Sequence, residues 1–523
     1  MSVPRSHGSA RWWGLLALLA LWELVGRGQW VAGGALPAPS AVLLQWWADR
    51  GDYPAHLWGT LRTALAGYVI GNVVAIACGM AFVRWRGAER LMAGVNVTLF
   101  AMPTIALVPI LVIALPGETP RVVLAALSVY YPTMVATVLG MTQVDPRLVD
   151  LVHVYGGRGA AVMRFVRWRS GLPTLLSGLR TAAPAAVLGS LLAEFGSGGS
   201  AGLGTYLIGS LGRGNPARLW GIGLTATLIS AAAYATVGLL ARRVAGDSLP
   251  ASVPLGRVQA QPRRRLQDWA WLLAAVAMPV LLWWAFVWLM RARGVSEVVL
   301  RDPLGLWQHL VASEQAPQHL QVLGMALLET LPPALVGMVL GLGFAFVLAV
   351  VTTFWRGLGD TLLPVSLVTQ SMPLVALAPL VVLIFGRDWG GTLAITVSVT
   401  FFPAFVTIVQ GLQLVPRTLD DLVRANGGRR RAWLQYVALP WSLPYLCAAA
   451  RLAAPRAFLG VMIAEWLATG VGFGNLLNES RGQMDYAMIW SVTVVAVLVA
   501  VVLHAMTVAA ERRLLRRFAL APA

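Results

Sequence analysis

Around Met102 the chain reads AMPTIALVPILVIAL, and around Met372 it reads SMPLVALAPLVVLIF. The correspondence continues downstream. QVDPRLVDLVHVYGG, ending at Gly157, matches QLVPRTLDDLVRANGG, ending at Gly428. GLPTLLSGLRTAAP from Gly171 matches SLPYLCAAARLAAP from Ser442, and each is followed by Ala-Glu, at Glu194 and Glu465. The offset stays near 270 residues throughout. Apolar segments resemble one another by chance, but Pro, Gly, Arg and Glu do not then hold register. The chain is therefore two copies of one unit, and its fold must be built twice.

The unit is a membrane unit. Charged residues make up 12% of the chain and hydrophobic residues 58%, whereas a soluble protein carries roughly 25% charged residues. So little charge cannot cover a water-facing surface. Crossing the hydrocarbon core takes about 20 apolar residues in a helix. By that measure the first half spans at 12–32, 57–83, 91–115, 122–144, 172–194 and 219–241, and the second at 269–290, 325–355, 361–385, 391–414, 441–466 and 487–511. The expectation is an all-α integral membrane protein of about 12 transmembrane helices. Residues 1–245 and 268–523 form tandem six-helix domains, with a Pro- and Arg-rich tether at 246–267. The run Trp12–Val25 has the look of a secretory signal, but the similar run Trp269–Met290 lies mid-chain. Both are read as retained first helices.

Six spans per half return the chain to its starting side, so the halves are related by an axis normal to the membrane. All 40 basic residues are arginine. With both termini cytoplasmic, 26 of them fall inside, 11 outside, and Arg180, Arg451 and Arg456 within spans. That asymmetry sets the orientation and accounts for the net charge of +18 without nucleic acid. Cys78 and Cys447 lie inside apolar stretches and read as small packing residues.

One cytoplasmic loop per half is longer than a turn. In the second half it runs from Arg417 to Leu439, with Leu419, Leu422 and Val423 on one helical face and Gly427–Gly428 closing it. Such a helix–glycine–helix projection suits a groove on a soluble partner. Here the sequence resembles the inner-membrane permeases of binding-protein-dependent ATP-binding-cassette importers, the MetI-like superfamily. Their loop carries Glu-Ala-Ala, three residues, Gly, and later Leu-Pro. Asp421 falls at the Glu position, Gly427 at the glycine and Leu439–Pro440 at the Leu-Pro. The first half shows Asp150, Leu151, Val152, Gly156 and Gly157, but has Trp168–Arg169 in place of Leu-Pro. Neither half has the two alanines. The resemblance implies that both loops couple to an ATPase and that the second couples more strongly. LPAPSAVL (Leu36–Leu43), the Met-Pro run through Pro109, and VDPRL (Val144–Leu148) are similar to permeases importing sulfonates, taurine, nitrate or thiamine-precursor pyrimidines.

A P-loop needs a lysine on the phosphates, and this chain has none. The glycine strings Gly202–Gly204 and Gly341–Gly343 read as helix breaks and close packing. The resemblance therefore implies a separate cytoplasmic ATPase, in two copies, that uses ATP and magnesium. It also implies a periplasmic or lipid-anchored solute-binding protein and a small-molecule substrate. The chain itself is expected to bind no cofactor or metal and to catalyse no reaction. Its six histidines, among them His153 and His504, are scattered without ligand spacing.

Ionisable groups within spans carry the translocation-path candidates. Arg180 and Glu194, and likewise Arg451 and Glu465, are 14 residues apart on one span, about 21 Å. The arginines then lie toward the cytoplasm and the glutamates near the outer boundary, either lining the path or locking neighbouring helices. Met102–Pro103 and Met372–Pro373 are expected to break their helices at a constriction. A proton- or ion-coupled secondary transporter would share the repeated architecture. It requires acidic or His groups at mid-membrane, however, and gives no reason for matched cytoplasmic loops.

Overall fold

The computed structural model describes residues 8–199, 201–245, 265–355, 359, 362, 366 and 374–517, and among these residues all regular structure is helical. The first half comprises α1 (Gly8–Arg27), α2 (Pro39–Ala48), α3 (Tyr53–Arg84), α4 (Arg86–Ala101), α5 (Thr104–Ala114) and α6 (Thr119–Thr142). After α6 come α7 (Pro146–Val154), α8 (Gly159–Ser197), α9 (Leu203–Leu211) and α10 (Pro216–Ala245). The second half repeats the order with α11 (Arg265–Ala292), α12 (Ala316–Phe354), α13 (Leu374–Phe385), α14 (Trp389–Gln413), α15 (Arg417–Ala425), α16 (Arg430–Thr469), α17 (Gly472–Gly482) and α18 (Tyr486–Arg517).

Nine of the described helices are long and apolar enough to cross a bilayer, and the bent pair α4–α5 brings the number to ten. Where the first span is expected, at 12–32, lies the 20-residue α1, which is not among those ten. Much of the span expected at 361–385 lies outside the described residues, as do Met372 and Pro373 and most of the tether at 246–267. The span expected at 91–115 is not one straight helix, because α4 and α5 meet at 99°. Pro103 has no N–H to extend α4 and forces Met102 out of the helical region, to φ −63° and ψ 123°.

Small residues set the packing within each half. A Cβ at Gly67 of α3 would stand 2.7 Å from the Val122 carbonyl oxygen of α6, so only glycine permits that approach. Gly337 and Gly341 of α12 meet Thr396 and Thr400 of α14 in the same way. Helix α8 then covers α6, as α16 covers α14. Contacts between the halves are reciprocal. The half-helix α5 packs against α16, α17 and α18, and α13 packs against α8, α9 and α10. Thr493 of α18 donates to the Ala106 carbonyl of α5 at 2.8 Å.

One end of the first half is held by an ion pair between Asp49, after α2, and Arg218 of α10. Asp49 is 7% exposed. Burial pushes its carboxyl upward, but hydrogen bonds from Arg218 and Gln45 outweigh that push and leave it below the ordinary carboxylate value. A folded value below the unfolded one means stability present above the unfolded pKa and lost as pH falls through the folded pKa. Asp49→Asn should flatten that acid slope of melting temperature against pH. Arg218→Ala, which strands the carboxylate, should cost about 3 kcal/mol, read as a fall in melting temperature in detergent.

Candidate functional site

The two loops that the sequence singles out fold alike. Asp145 caps α7, its carboxylate accepting from the Arg147 N–H at 2.9 Å, and Pro146 starts the helix. Helix α15 starts after Pro416. Each ends on a glycine in the left-handed region, Gly156 at φ +75° and Gly427 at φ +71°. The following glycine closes the end: the Gly157 N–H reaches the Val152 carbonyl at 2.9 Å, and the Gly428 N–H reaches that of Val423 at 2.8 Å. Asp150 and Asp421 are exposed at matching positions. So are large apolar side chains with nothing over them: Leu151, Val154 and Tyr155 in the first loop and Leu422 in the second. An uncovered apolar face on a short rigid projection is the form of a docking element.

After each glycine pair the chain turns straight into the next long helix. Both helices begin with a widened turn, at Val162–Arg167 and Leu434–Ala438. The second short helix expected before Pro440 is therefore the start of α16 itself. Leu439–Pro440 falls just past the widened turn, where the missing proline N–H breaks no helix. Trp168–Arg169 occupies the same place in α8 with the same geometry, so the departure from Leu-Pro leaves no mark on the first loop's backbone.

The arginines fasten helices to one another. The Arg180 guanidinium lies over the Tyr234 ring of α10, 4.1 Å from its centroid. Arg451 donates to Glu511 of α18 at 3.2 Å, and its carbonyl approaches His504 Nδ1 at 3.3 Å. His504 also meets the Phe100 ring edge-on at 5.1 Å, so its role here is packing. Each arginine ties the fifth long helix of its half to the sixth. Among the described residues no cluster of His, Cys, Asp or Glu is arranged to hold a metal, and Cys78 and Cys447 are free and half-buried.

The glutamates are interior, with Glu194 1% and Glu465 3% exposed. Glu194 accepts from Thr60 of α3 at 2.7 Å and from the Gly204 N–H of α9, also at 2.7 Å. Thr60 in turn accepts from the Leu203 N–H at 2.8 Å. In the second half Glu465 accepts from Thr330 of α12 at 3.1 Å and from the Gly474 N–H of α17 at 2.9 Å. Thr330 accepts from the Phe473 N–H at 2.9 Å. Both carboxylates thus cap a short helix from outside it and satisfy donors that a helix start leaves unpaired. Sequence reasoning missed α9 and α17 and the two threonines. The signal was present in GTLRTAL from Gly59 against ETLPPAL from Glu329, and in GLGTYL from Gly202 against GFGNLL from Gly472.

A family model described as "Binding-protein-dependent transport system inner membrane component" matches residues 71–246 and again 337–519. The chain is similar to a riboflavin transport system permease protein of Chloroflexus aurantiacus, at 32% identity over 31% of this chain and 60% of that protein. It is similar to a formylaminopyrimidine transport permease protein of Halalkalibacterium halodurans, at 31% identity over 30% of the chain and 64% of the relative. A putative aliphatic sulfonates transport permease protein of Bacillus subtilis is 23% identical over 50% of the chain and 91% of its own length. The matched segment thus spans less than two thirds of the first two relatives. The chain belongs to the binding-protein-dependent transport system inner membrane components, with two such domains fused in one integral membrane permease of the ATP-binding-cassette class.

Proposed function

We infer that this chain forms the complete translocation pathway of an importer, each half supplying what a separate permease subunit supplies elsewhere. Alternating access is driven by a cytoplasmic ATPase docked in two copies under α7 and α15. Substrate is delivered by a solute-binding protein on the other face. The observation that carries this reading is the pair of exposed helix–glycine–helix loops, matched in backbone and in their acidic residues. A matched pair of docking elements has a use only where something binds both. The arginine distribution supports both termini being cytoplasmic. The substrate is a small solute: the relatives' names point to riboflavin, a formylaminopyrimidine or an aliphatic sulfonate, and the sequence resemblance adds taurine and nitrate.

Pull-down of the tagged chain from native membranes in mild detergent, followed by mass spectrometry, tests this. Recovery of a P-loop ATPase and a solute-binding protein is the expected result, and the binding protein then provides the substrate screen. Recovery of the chain alone would favour an ion-coupled carrier.

A further inference from the structure

The two buried carboxylates reach beyond their own halves. Glu194 holds the start of α9, and α9 packs on α13 of the second half; Glu465 holds the start of α17, and α17 packs on α5 of the first. Helix α5 is the half-helix that follows the break at Met102–Pro103, and α13 is its counterpart by sequence register in the second half. Each carboxylate therefore fixes a short helix that leans on α5 or α13 of the opposite half. We propose that Glu194 and Glu465 are positioning residues, two latches that seat α9 against α13 and α17 against α5 and so hold the gate between the halves closed at that end.

The hydrogen bonds support a latch over a packing role. Each carboxylate takes one N–H from the short helix and one hydroxyl from the second span of its own half, and that hydroxyl takes the preceding N–H of the short helix, while Glu194 also takes the Ser190 hydroxyl of its own helix at 3.4 Å. A fixed chain of three donors on two acceptors has one geometry, and it is made twice. There is no room for an alternative seat, since a Cβ on Gly202 would lie 2.5 Å from the Glu194 carboxyl carbon. Gly472 is pressed on Glu465 in the same way.

The surroundings of the two latches differ. In the first half His56 Nδ1 lies 3.2 Å from the Gly202 nitrogen, its ring stacks on Tyr206 of α9 at 4.5 Å, and Arg121 donates to the Ala201 carbonyl at 2.6 Å. In the second half Glu329 accepts from the Gly472 N–H at 2.7 Å, so two carboxylates share one helix start. Beyond its carboxylate and threonine, the first short helix is thus braced by a histidine ring and an arginine, whereas the second has beside Glu465 and Thr330 a further acid, and the repulsion between the two acids opposes their attraction to the helix start. The second latch releases first.

The word gate rests on the proposed import function, whereas the following measurement reads the latches alone. In a background of Cys78→Ser and Cys447→Ser, Leu207→Cys places a thiol on the buried face of α9, and Leu477→Cys places one at the matching position of α17. Labelling by a hydrophilic maleimide is followed with the full chain in nanodiscs. Both thiols should be protected while the glutamates are intact, the Leu477→Cys thiol less completely. Glu194→Gln should speed labelling of Leu207→Cys by roughly tenfold or more, the loss of charge-assisted bonds to the helix start, and leave Leu477→Cys protected. Glu465→Gln should do the reverse. Thr60→Val and Thr330→Val, which keep side-chain shape and remove a hydroxyl that both donates to the glutamate and accepts from the short helix, should act in the same direction on the same half. Exposure of both thiols by one substitution would assign the glutamates to general folding and overturn the latch, as would protection of both. Intact latches with no ATPase partner in the pull-down would instead sink the import reading and leave the latches standing.

Discussion

Gly156→Val combined with Gly427→Val should abolish stimulation of ATP hydrolysis by the solute-binding protein, a loss of roughly tenfold or more for removing both anchors of an interface. The cause is conformational. Both glycines sit at positive φ, +75° and +71°, where a β-branched residue is a genuine outlier and costs about 1–2 kcal/mol. Nothing stands within 4 Å of an added Cβ at either position, so packing is not at issue. The substituted chain relieves the strain by unwinding the turn. That rotates Leu151 and Val154, and in the other loop Leu422, away from the seat they present together. Gly159→Ala, at a site equally open and without positive φ, is the control and should leave coupling intact. The single variants separate two expectations. The Leu439–Pro440 signature ranks Gly427→Val above its first-half counterpart. The matched backbone makes the two loops equal in shape, so any difference measured must come from their side chains.

Gly94→Val should have the largest effect on assembly. Gly94 lies on α4 where the first helix of the other half, α11, crosses it. A Cβ there would stand 2.7 Å from the Ala275 carbonyl carbon and closer still to its oxygen. The obstacle is backbone, which cannot swing aside as a side chain can, so the two helices must separate. Overpacking costs about 1–3 kcal/mol and occasionally more, and a whole interhelical contact is lost with it. Little monodisperse protein should survive size-exclusion chromatography, and what survives should melt earlier. Gly87→Ala, whose Cβ would meet the Trp271 ring at an ordinary 3.4 Å, should be tolerated. Equal recovery of the two variants would show that α11 is not clamped on α4 in the membrane.

Much of the architecture was legible because a bilayer leaves a chain few options. Backbone groups in lipid must bond within their own segment, so an apolar run of about 20 residues is a helix whatever its neighbours. The duplication, the long helices α3, α6, α8 and their counterparts, and the closing glycines at 156 and 427 were all readable on that ground. The break at Met102–Pro103 was readable too, since a proline and the residue before it constrain their own backbone locally. Its size, a 99° turn that makes α5 a separate piece, was not.

What the sequence determined by itself is whatever depends on a residue and its near neighbours: spans, turns, charge asymmetry, the register of the two copies. What only the tertiary structure decided is which groups meet. Arg180 and Arg451, possible path residues on paper, turn to Tyr234 and Glu511 and tie helices together. Glu194 and Glu465, possible gate residues with no visible partner, close on Thr60 and Thr330, 134 and 135 positions away along the chain. A buried carboxylate must find donors, and that need was visible from its place in an apolar span. The donors were not, because they are the N–H groups of short helices too brief and too glycine-rich to show in a hydropathy pattern, brought near only once the long helices have packed.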